Sequence, residues 1–333
     1  MKLLIGLLLV ANCVLGAEAE PRKAQAEIAV AIRYLQAEGV SHSHVYLYRE
    51  DGKLLRQLTK DDSGQDRDPL FSPDGKTIVF TRELKQGREF WSVEPLGKNL
   101  RRLASAPEWH VKTPGAPYFR YPEWEENKKN LTDPAIVGAA GVPKFVSPDG
   151  ATELVLMTVK GDEDDEYNGP GHGKHFVMRD VKTGKESVMG KLPGFVGLVD
   201  LLELSTDRKT HFLIQPPLRV AFFGLHLGST DGDTVFAVDL DTPRIVNLSP
   251  NWAAPFPLPG EAAFLTFTSV RYVPIPNSPK TANCSYLEHW DAGLKKVRYA
   301  EEGSAAILYG ASMFRPGRNP ATIHIRKEPD GAK

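Results

Sequence analysis

The chain has 333 residues, of which 41% are hydrophobic and 25% are charged, and its formal net charge is −1. This length and apolar content allow one large all-β domain or two ordinary domains, each with a real core. The near-neutral charge argues against a general nucleic-acid binder and supplies no polybasic anchor for an anionic membrane.

Residues 1–19 have the pattern of a secretory signal peptide. Lys2 precedes an apolar run from Leu3 to Leu15, and a small-x-small cleavage site ends at Ala19. We therefore expect a periplasmic or secreted protein, cut near Ala19. No later run approaches the roughly 20 apolar residues of a membrane-spanning helix, so we expect no transmembrane segment. Cys284 is the one cysteine after the signal, which excludes an internal disulfide.

Residues 26–36 fit two kinds of element. Ile28, Val30 and Ile32 alternate with small or polar residues as in a half-buried strand, whereas Ile28, Ile32 and Leu35 also share one helical face. The Ala, Gln and Glu content favours a helix. We favour the strand, because the segment that follows reads as its hairpin partner.

A tetrapeptide recurs in the chain, as Ser72-Pro73-Asp74-Gly75 and as Ser147-Pro148-Asp149-Gly150, each time between two short apolar runs. Proline fixes φ at the second turn position, and glycine accepts the left-handed conformation that closes a tight hairpin. We interpret these eight residues as structural turn motifs. A turn that recurs with the same chemistry indicates a repeat architecture.

A second hairpin pattern has an extended run, a Gly-containing or acidic turn, and another extended run. Its copies begin at Val45, Phe90, Phe176, Val235, Tyr286 and Thr322. The two hairpins together give a unit of four antiparallel strands, clearest over residues 68–104. We predict a single β-propeller domain over residues 20–333, with about six four-stranded blades and C-terminal strands closing the ring beside N-terminal ones. A β-sandwich with coincidental turns is the alternative.

Residues 68–80 read Asp68-Pro69-Leu70-Phe71-Ser72-Pro73-Asp74-Gly75-Lys76-Thr77-Ile78-Val79-Phe80. They resemble the repeat of the TolB-like, WD40-like (PD40) propellers, and the continuation through Gly97-Lys98 to Arg101-Arg102-Leu103 is similar too. The resemblance implies a six-bladed propeller in an exported protein that contacts proteins or cell-envelope polymers. The motif residues are structural, so the resemblance carries over no catalytic residue.

We expect the long insertions, at 104–142, 160–175, 215–233 and 273–284, to lie on one face of the propeller, where function usually resides. The 104–142 insertion, between blades, is rich in aromatic side chains that would stack on a sugar or anchor a partner protein. The predicted binding residues are Trp109, His110, Tyr118, Tyr121 and Trp124. The alternative is that these side chains pack the insertion onto the propeller.

The 160–175 insertion places carboxylates beside two imidazoles, a donor set that suits a divalent metal. The candidate ligands are Asp162, Asp164, His172 and His175. Their spacing matches no established ligand pattern, so we favour a solvated acidic loop and expect no cofactor.

The chain has no Gly-x-Ser-x-Gly nucleophile elbow and no P-loop, which leaves no established catalytic motif. We therefore predict a non-catalytic exported scaffold that binds a protein or a cell-envelope polymer through its long-loop face. The alternative is a metal-assisted polysaccharide lyase or hydrolase with its site at the mouth of the propeller channel.

Overall fold

The computed structural model describes residues 25–110, 118–120, 131–132, 135–136, 144–147, 150–158, 174–191, 211–215, 218–226, 233–242, 244–249, 252–258, 261–318 and 320–324. Every regular element within these ranges is a β-strand, and all the sheets are antiparallel. The all-β class is therefore confirmed for this part of the chain, which contains no helix able to cross a membrane. The predicted signal peptide lies outside the described residues.

The strands in chain order are β1 (Glu27–Tyr34), β2 (Ser43–Arg49), β3 (Leu54–Gln57), β4 (Gln65–Phe71), β5 (Ile78–Leu84), β6 (Gly87–Val93), β7 (Arg101–Leu103), β8 (Tyr118–Arg120), β9 (Leu131–Thr132), β10 (Ala135–Ile136), β11 (Lys144–Val146), β12 (Thr152–Thr158), β13 (Lys174–Asp180), β14 (Glu186–Lys191), β15 (His211–Gln215), β16 (Leu218–His226), β17 (Asp233–Asp239), β18 (Arg244–Ser249), β19 (Trp252–Pro257), β20 (Ala263–Pro274), β21 (Thr281–Asp291), β22 (Lys296–Arg298), β23 (Ala306–Phe314) and β24 (Ala321–His324).

These strands form five sheets among the described residues. Sheet I has the order β3-β2-β1-β23-β24-β8, and sheet II has the order β4-β5-β6-β7. Sheet III is β10-β11-β12-β13-β14, sheet IV is β18-β17-β16-β15-β9, and sheet V is β19-β20-β21-β22. Sheets II to V each contain four strands that are consecutive in the chain and lie side by side.

The two copies of the tetrapeptide fold with the same hydrogen bonds. Gly75 N donates to Ser72 O at 2.8 Å, Ser72 N donates to Thr77 O at 2.7 Å, and Thr77 N donates to Ser72 Oγ at 3.0 Å. Ser147 makes the same three bonds, to Gly150 and to the threonine five positions on, at 2.8, 2.8 and 2.9 Å. Both glycines have the positive φ that glycine adopts without strain, 70° and 68°.

The second hairpin pattern coincides with the last two strands of a sheet or, in sheet I, with β2 and β3. The pairs are β2–β3, β6–β7, β13–β14, β17–β18 and β21–β22. The sixth copy begins in β24 and continues outside the described residues. Residues 26–36, for which strand and helix were both open, form β1.

Two predicted insertions are wrong as loops. Within 215–233, nine residues form strand β16, and Gln215 and Asp233 belong to β15 and β17. Residues 273–284 belong to β20 and β21, which meet in a tight turn where Ser278 N donates to Ile275 O at 3.1 Å. In 273–284, Pro276 and Pro279 lie in the turn between the two strands, where a missing N–H removes no ladder bond.

The core lies between neighbouring sheets. Ile78 and Phe80 of sheet II pack with Val45 and Leu47 of sheet I, all at most 2% exposed. A larger buried cluster joins sheet I to sheet V, and a smaller one joins sheet IV to sheet V. Strand β1 pairs along its length with β23, so strands from both ends of the chain share sheet I. The predicted number of blades and the closure of the ring stay predictions.

Candidate functional site

A cleft of about 520 Å³ opens at one end of sheet II. One wall is the start of β6, and the other is the end of β7 with the segment that follows it. Its lining includes charged, aromatic and apolar residues suited to binding a ligand, namely Arg88, Phe90, Arg102, Leu103 and His110. The cleft therefore lies where the predicted 104–142 insertion leaves the sheet.

Contacts between aromatic rings hold the segment with Trp109 and His110 against strand β6. His110 meets Phe90 edge-to-face, with ring centroids 5.4 Å apart and planes at 75°. Trp109 lies against His110 at 6.5 Å. His110 N donates to Pro107 O at 2.9 Å, which closes a turn. Both residues are half-buried and the two ring nitrogens of His110 are buried, so the contact with Phe90 anchors the segment beside the cleft.

The cleft carries more positive than negative charge. Its acidic residue, Glu89, is already engaged, because it pairs with Arg102 Nε at 3.2 Å and accepts a hydrogen bond from Trp91 Nε1 at 3.0 Å. Arg88 forms no ion pair with any residue that the structure describes. One guanidinium thus remains for a ligand, beside an aromatic edge.

A buried ion pair joins strands β4 and β5 of sheet II. Arg82 is 1% exposed, and it donates to both oxygens of Asp66 at 2.7 and 3.1 Å. Its remaining terminal nitrogen donates to Asp61 at 2.5 Å, and its guanidinium lies 4.8 Å above the Trp91 ring. Because all three nitrogens are used, Arg82 is a positioning residue that ties the β3–β4 connection to sheet II.

Asp62 of the same connection contacts two histidines at the start of β2. Asp62 lies 3.2 Å from His44 Nε2 and 3.7 Å from His42 Nδ1. No group of three or more His, Cys, Asp or Glu side chains among the described residues is placed to hold a metal ion. We interpret these contacts as structural, because they hold the connection between sheets I and II against β2.

Asp68 occupies a strained position on β4, in a β-bulge between Arg67 and Leu70. Its φ is 48°, unusual for a residue other than glycine. A Cβ on Gly310 of β23 would come within 2.7 Å of its carboxylate, so the two backbones approach closely. Burial raises the pKa of Asp68 to about 6, although the charges of Arg67 and Arg88 oppose the shift.

Of the predicted site residues, the structure brings together Trp109 and His110. Tyr118 lies in β8, where its backbone pairs with His324 of β24, and His175 lies in β13 opposite Met157. The remaining predicted residues, Tyr121, Trp124, Asp162, Asp164, His172, Pro148 and Asp149, lie outside the described residues. Arg88, Phe90 and Arg102 were not predicted. Arg102 lies beside the start of the insertion, whereas Arg88 and Phe90 reach the cleft only because β6 pairs with β7.

Neither a known protein family nor a curated protein matches the chain by sequence. Among solved structures, TolB from Acinetobacter baumannii is 11% identical over 90% of this chain and 63% of its own, with a TM-score of 0.24. Hydrazine synthase from Kuenenia stuttgartiensis is 13% identical over 92% and 47%, with a TM-score of 0.29. Oligogalacturonate lyase from Vibrio parahaemolyticus is 8% identical over 92% and 99%, with a TM-score of 0.23. This chain thus spans less than two thirds of the first two structures, and the fold is argued from its own sheets.

Proposed function

We propose that this chain is a non-catalytic, exported β-propeller scaffold that binds a protein or a cell-envelope polymer at the cleft of sheet II. The observation that carries the proposal is the cleft itself, with Arg88 unpaired among the described residues and His110 anchored on Phe90. The meander order of sheets II to V supports a propeller, because each of them matches one blade. Export rests on the signal-like pattern of residues 1–19.

The chemistry of the cleft favours an acidic ligand. A guanidinium binds a carboxylate through charge-assisted hydrogen bonds, and a half-exposed aromatic ring packs on the apolar face of a sugar or a side chain. Glu89 would repel a second carboxylate, but its own charge is compensated by Arg102. An acidic polypeptide and an acidic polysaccharide share this chemistry.

The test is binding of two probes, poly-L-glutamate and polygalacturonate, to the purified chain by isothermal titration calorimetry. We expect at least one probe to bind, and Arg88→Ala to weaken it about tenfold, which is about 1.4 kcal/mol and typical of one lost charge-assisted bond. His110→Ala should weaken binding similarly. Lys182→Ala, an exposed cation on the turn of sheet III, is the matched control and should change nothing.

Two results would overturn the proposal. Equal binding by Arg88→Ala and Lys182→Ala would remove the cleft as the site. Release of unsaturated ends or reducing ends from polygalacturonate, dependent on Mn²⁺ or Ca²⁺ and lost in His110→Ala, would favour the alternative, a metal-assisted lyase or hydrolase.

A further inference from the structure

Four exposed leucines lie on two neighbouring segments of the surface. The part of the chain that the structure describes exposes eight large hydrophobic side chains, and four of them lie on two short segments. These four are Leu54 and Leu55 of β3, which are 42% and 39% exposed, and Leu96 and Leu100 beside the β6–β7 turn, which are 60% and 41% exposed. We call these four residues the leucine rim.

The two segments of the leucine rim are held side by side. Arg56 of β3 donates a hydrogen bond from its guanidinium to Leu96 O. A Cβ on Gly97 would lie 3.0 Å from Arg56 Cδ, so the turn packs directly on that side chain. The turn itself is closed by Gly97 N donating to Glu94 O at 2.7 Å and Glu94 N donating to Lys98 O at 3.0 Å. The leucines are thus presented on an ordered surface, which lowers the entropic cost of binding.

The leucine rim is also basic. Arg56, Lys98 and Arg101 are exposed around it. Asp51 pairs with Arg49, whereas Glu94 accepts a hydrogen bond at 2.5 Å from the neutral amide of Asn99 and keeps its negative charge. Lys98 and Arg101 form no ion pair with a residue that the structure describes. The surface therefore offers apolar contacts bordered by an excess of positive charge, three cations beside Glu94.

The positive charges favour one kind of binding partner for the leucine rim over two others. A second copy bound about a two-fold axis would place the same cations opposite each other, which is unfavourable. An anionic bilayer attracts clusters of about four to eight cations. The leucine rim has three, and the chain as a whole carries a net charge of −1, so a bilayer is the less favourable occupant. A segment that alternates leucine-like and acidic side chains satisfies both the apolar contacts and the charge.

We propose that the leucine rim is a docking surface for an acidic amphipathic segment of a partner protein. The surface lies at the end of β6 and β7 opposite the cleft, so this inference does not depend on the proposed function of the cleft. Exposed apolar patches bordered by charge are a common mark of protein–protein interfaces.

The test uses three synthetic peptides about 20 residues long, enough for a helix. The first has leucines at i, i+3, i+4 and i+7 and glutamates elsewhere, the second replaces the glutamates with lysines, and the third replaces the leucines with serines. We expect the purified chain to bind the first peptide, measured by fluorescence anisotropy, at least about tenfold more tightly than the other two.

Two double variants locate the binding. Leu96→Ser/Lys98→Glu should weaken binding of the acidic peptide about tenfold. Val188→Ser/Lys185→Glu changes an equally exposed pair on sheet III and should leave binding unchanged. Because all four residues are exposed, both variants should keep the melting temperature of the parent chain, which circular dichroism will verify.

Three results would overturn the inference. Equal binding of the acidic and basic peptides, or equal affinity in the two double variants, would remove charge complementarity at this surface. Cosedimentation with phosphatidylserine vesicles that is lost in Leu96→Ser would assign the leucine rim to a membrane. A concentration-dependent dimer lost in the same variant would assign it to a second copy of the chain.

Discussion

At the residue scale, the most informative group is Asp68. A residue in a left-handed conformation whose carboxyl is buried and carries a raised pKa costs stability, and proteins usually keep such strain near a functional surface. The sign of its pH dependence follows from burial. In the folded chain the carboxyl keeps its proton up to a pH of about 6, whereas the unfolded chain releases it near 3.9. Stability is therefore lost as the pH rises from about 4 to about 6.

We predict that Asp68→Asn stabilises the chain at pH 7.5 by about 2 kcal/mol, because the amide removes the cost of a buried charge. Asparagine also tolerates a positive φ, and any gain in stability from that source will not depend on pH. Thermal melts between pH 4 and pH 7.5 measure the effect, and the gain should shrink towards pH 4. Asp74→Asn is the control with opposite sign, since the hydrogen bond from Ser72 lowers the pKa of Asp74. A gain of equal size at both ends of the pH range would contradict the assignment.

At the element scale, the pair Arg82–Asp66 joins β4 to β5, and Arg82 also reaches Asp61 of the connection from sheet I. Arg82 and Asp66 are almost fully buried, so removing Asp66 leaves a buried guanidinium with only the exposed Asp61 as its partner. We predict that Asp66→Ala lowers the free energy of unfolding by about 3–5 kcal/mol in urea titrations. The double variant Arg82→Met/Asp66→Leu should recover most of that loss. Asp61→Ala removes the exposed partner and should cost less than about 1 kcal/mol. Similar losses in Asp61→Ala and Asp66→Ala would refute this account.

The elements of the fold differ in how well the sequence predicts them. Hairpin turns are predicted well because their chemistry is local: Ser72 and Gly75 make the bonds that close the turn. Strand β16 was missed because two prolines directly precede it in the sequence. Of the residues that line the cleft, His110 stands out in the sequence as part of an aromatic insertion, and its binding role stays a prediction. Arg88 and Phe90 gain their role only through the fold, which brings segments twenty residues apart together.

At the scale of the whole molecule, sheet I combines both ends of the chain. Strand β23 supplies Ala306, Leu308, Ala311 and Met313 to the core shared with sheet V. Each of these side chains is at most 4% exposed. Loss of several such residues, together with the pairing of β1, removes a large part of the roughly 5–15 kcal/mol that stabilises a domain.

We therefore predict that a chain ending at residue 305 loses its cooperative thermal transition, measured by circular dichroism and calorimetry. A synthetic peptide of residues 306–324, added in excess, should restore the transition by pairing with β1. A chain ending at residue 324 is the control and should melt as the parent does. A cooperative melt in the chain ending at 305, without peptide, would show that β23 is dispensable.

The β1–β23 pairing also sets an order of events during biosynthesis. At roughly 5–20 residues per second, β1 leaves the ribosome roughly 15–50 s before β23 does. Throughout that interval β1 has an unpaired edge that can template association with other chains. A chain interrupted before β23 therefore carries an exposed strand edge that the finished fold covers.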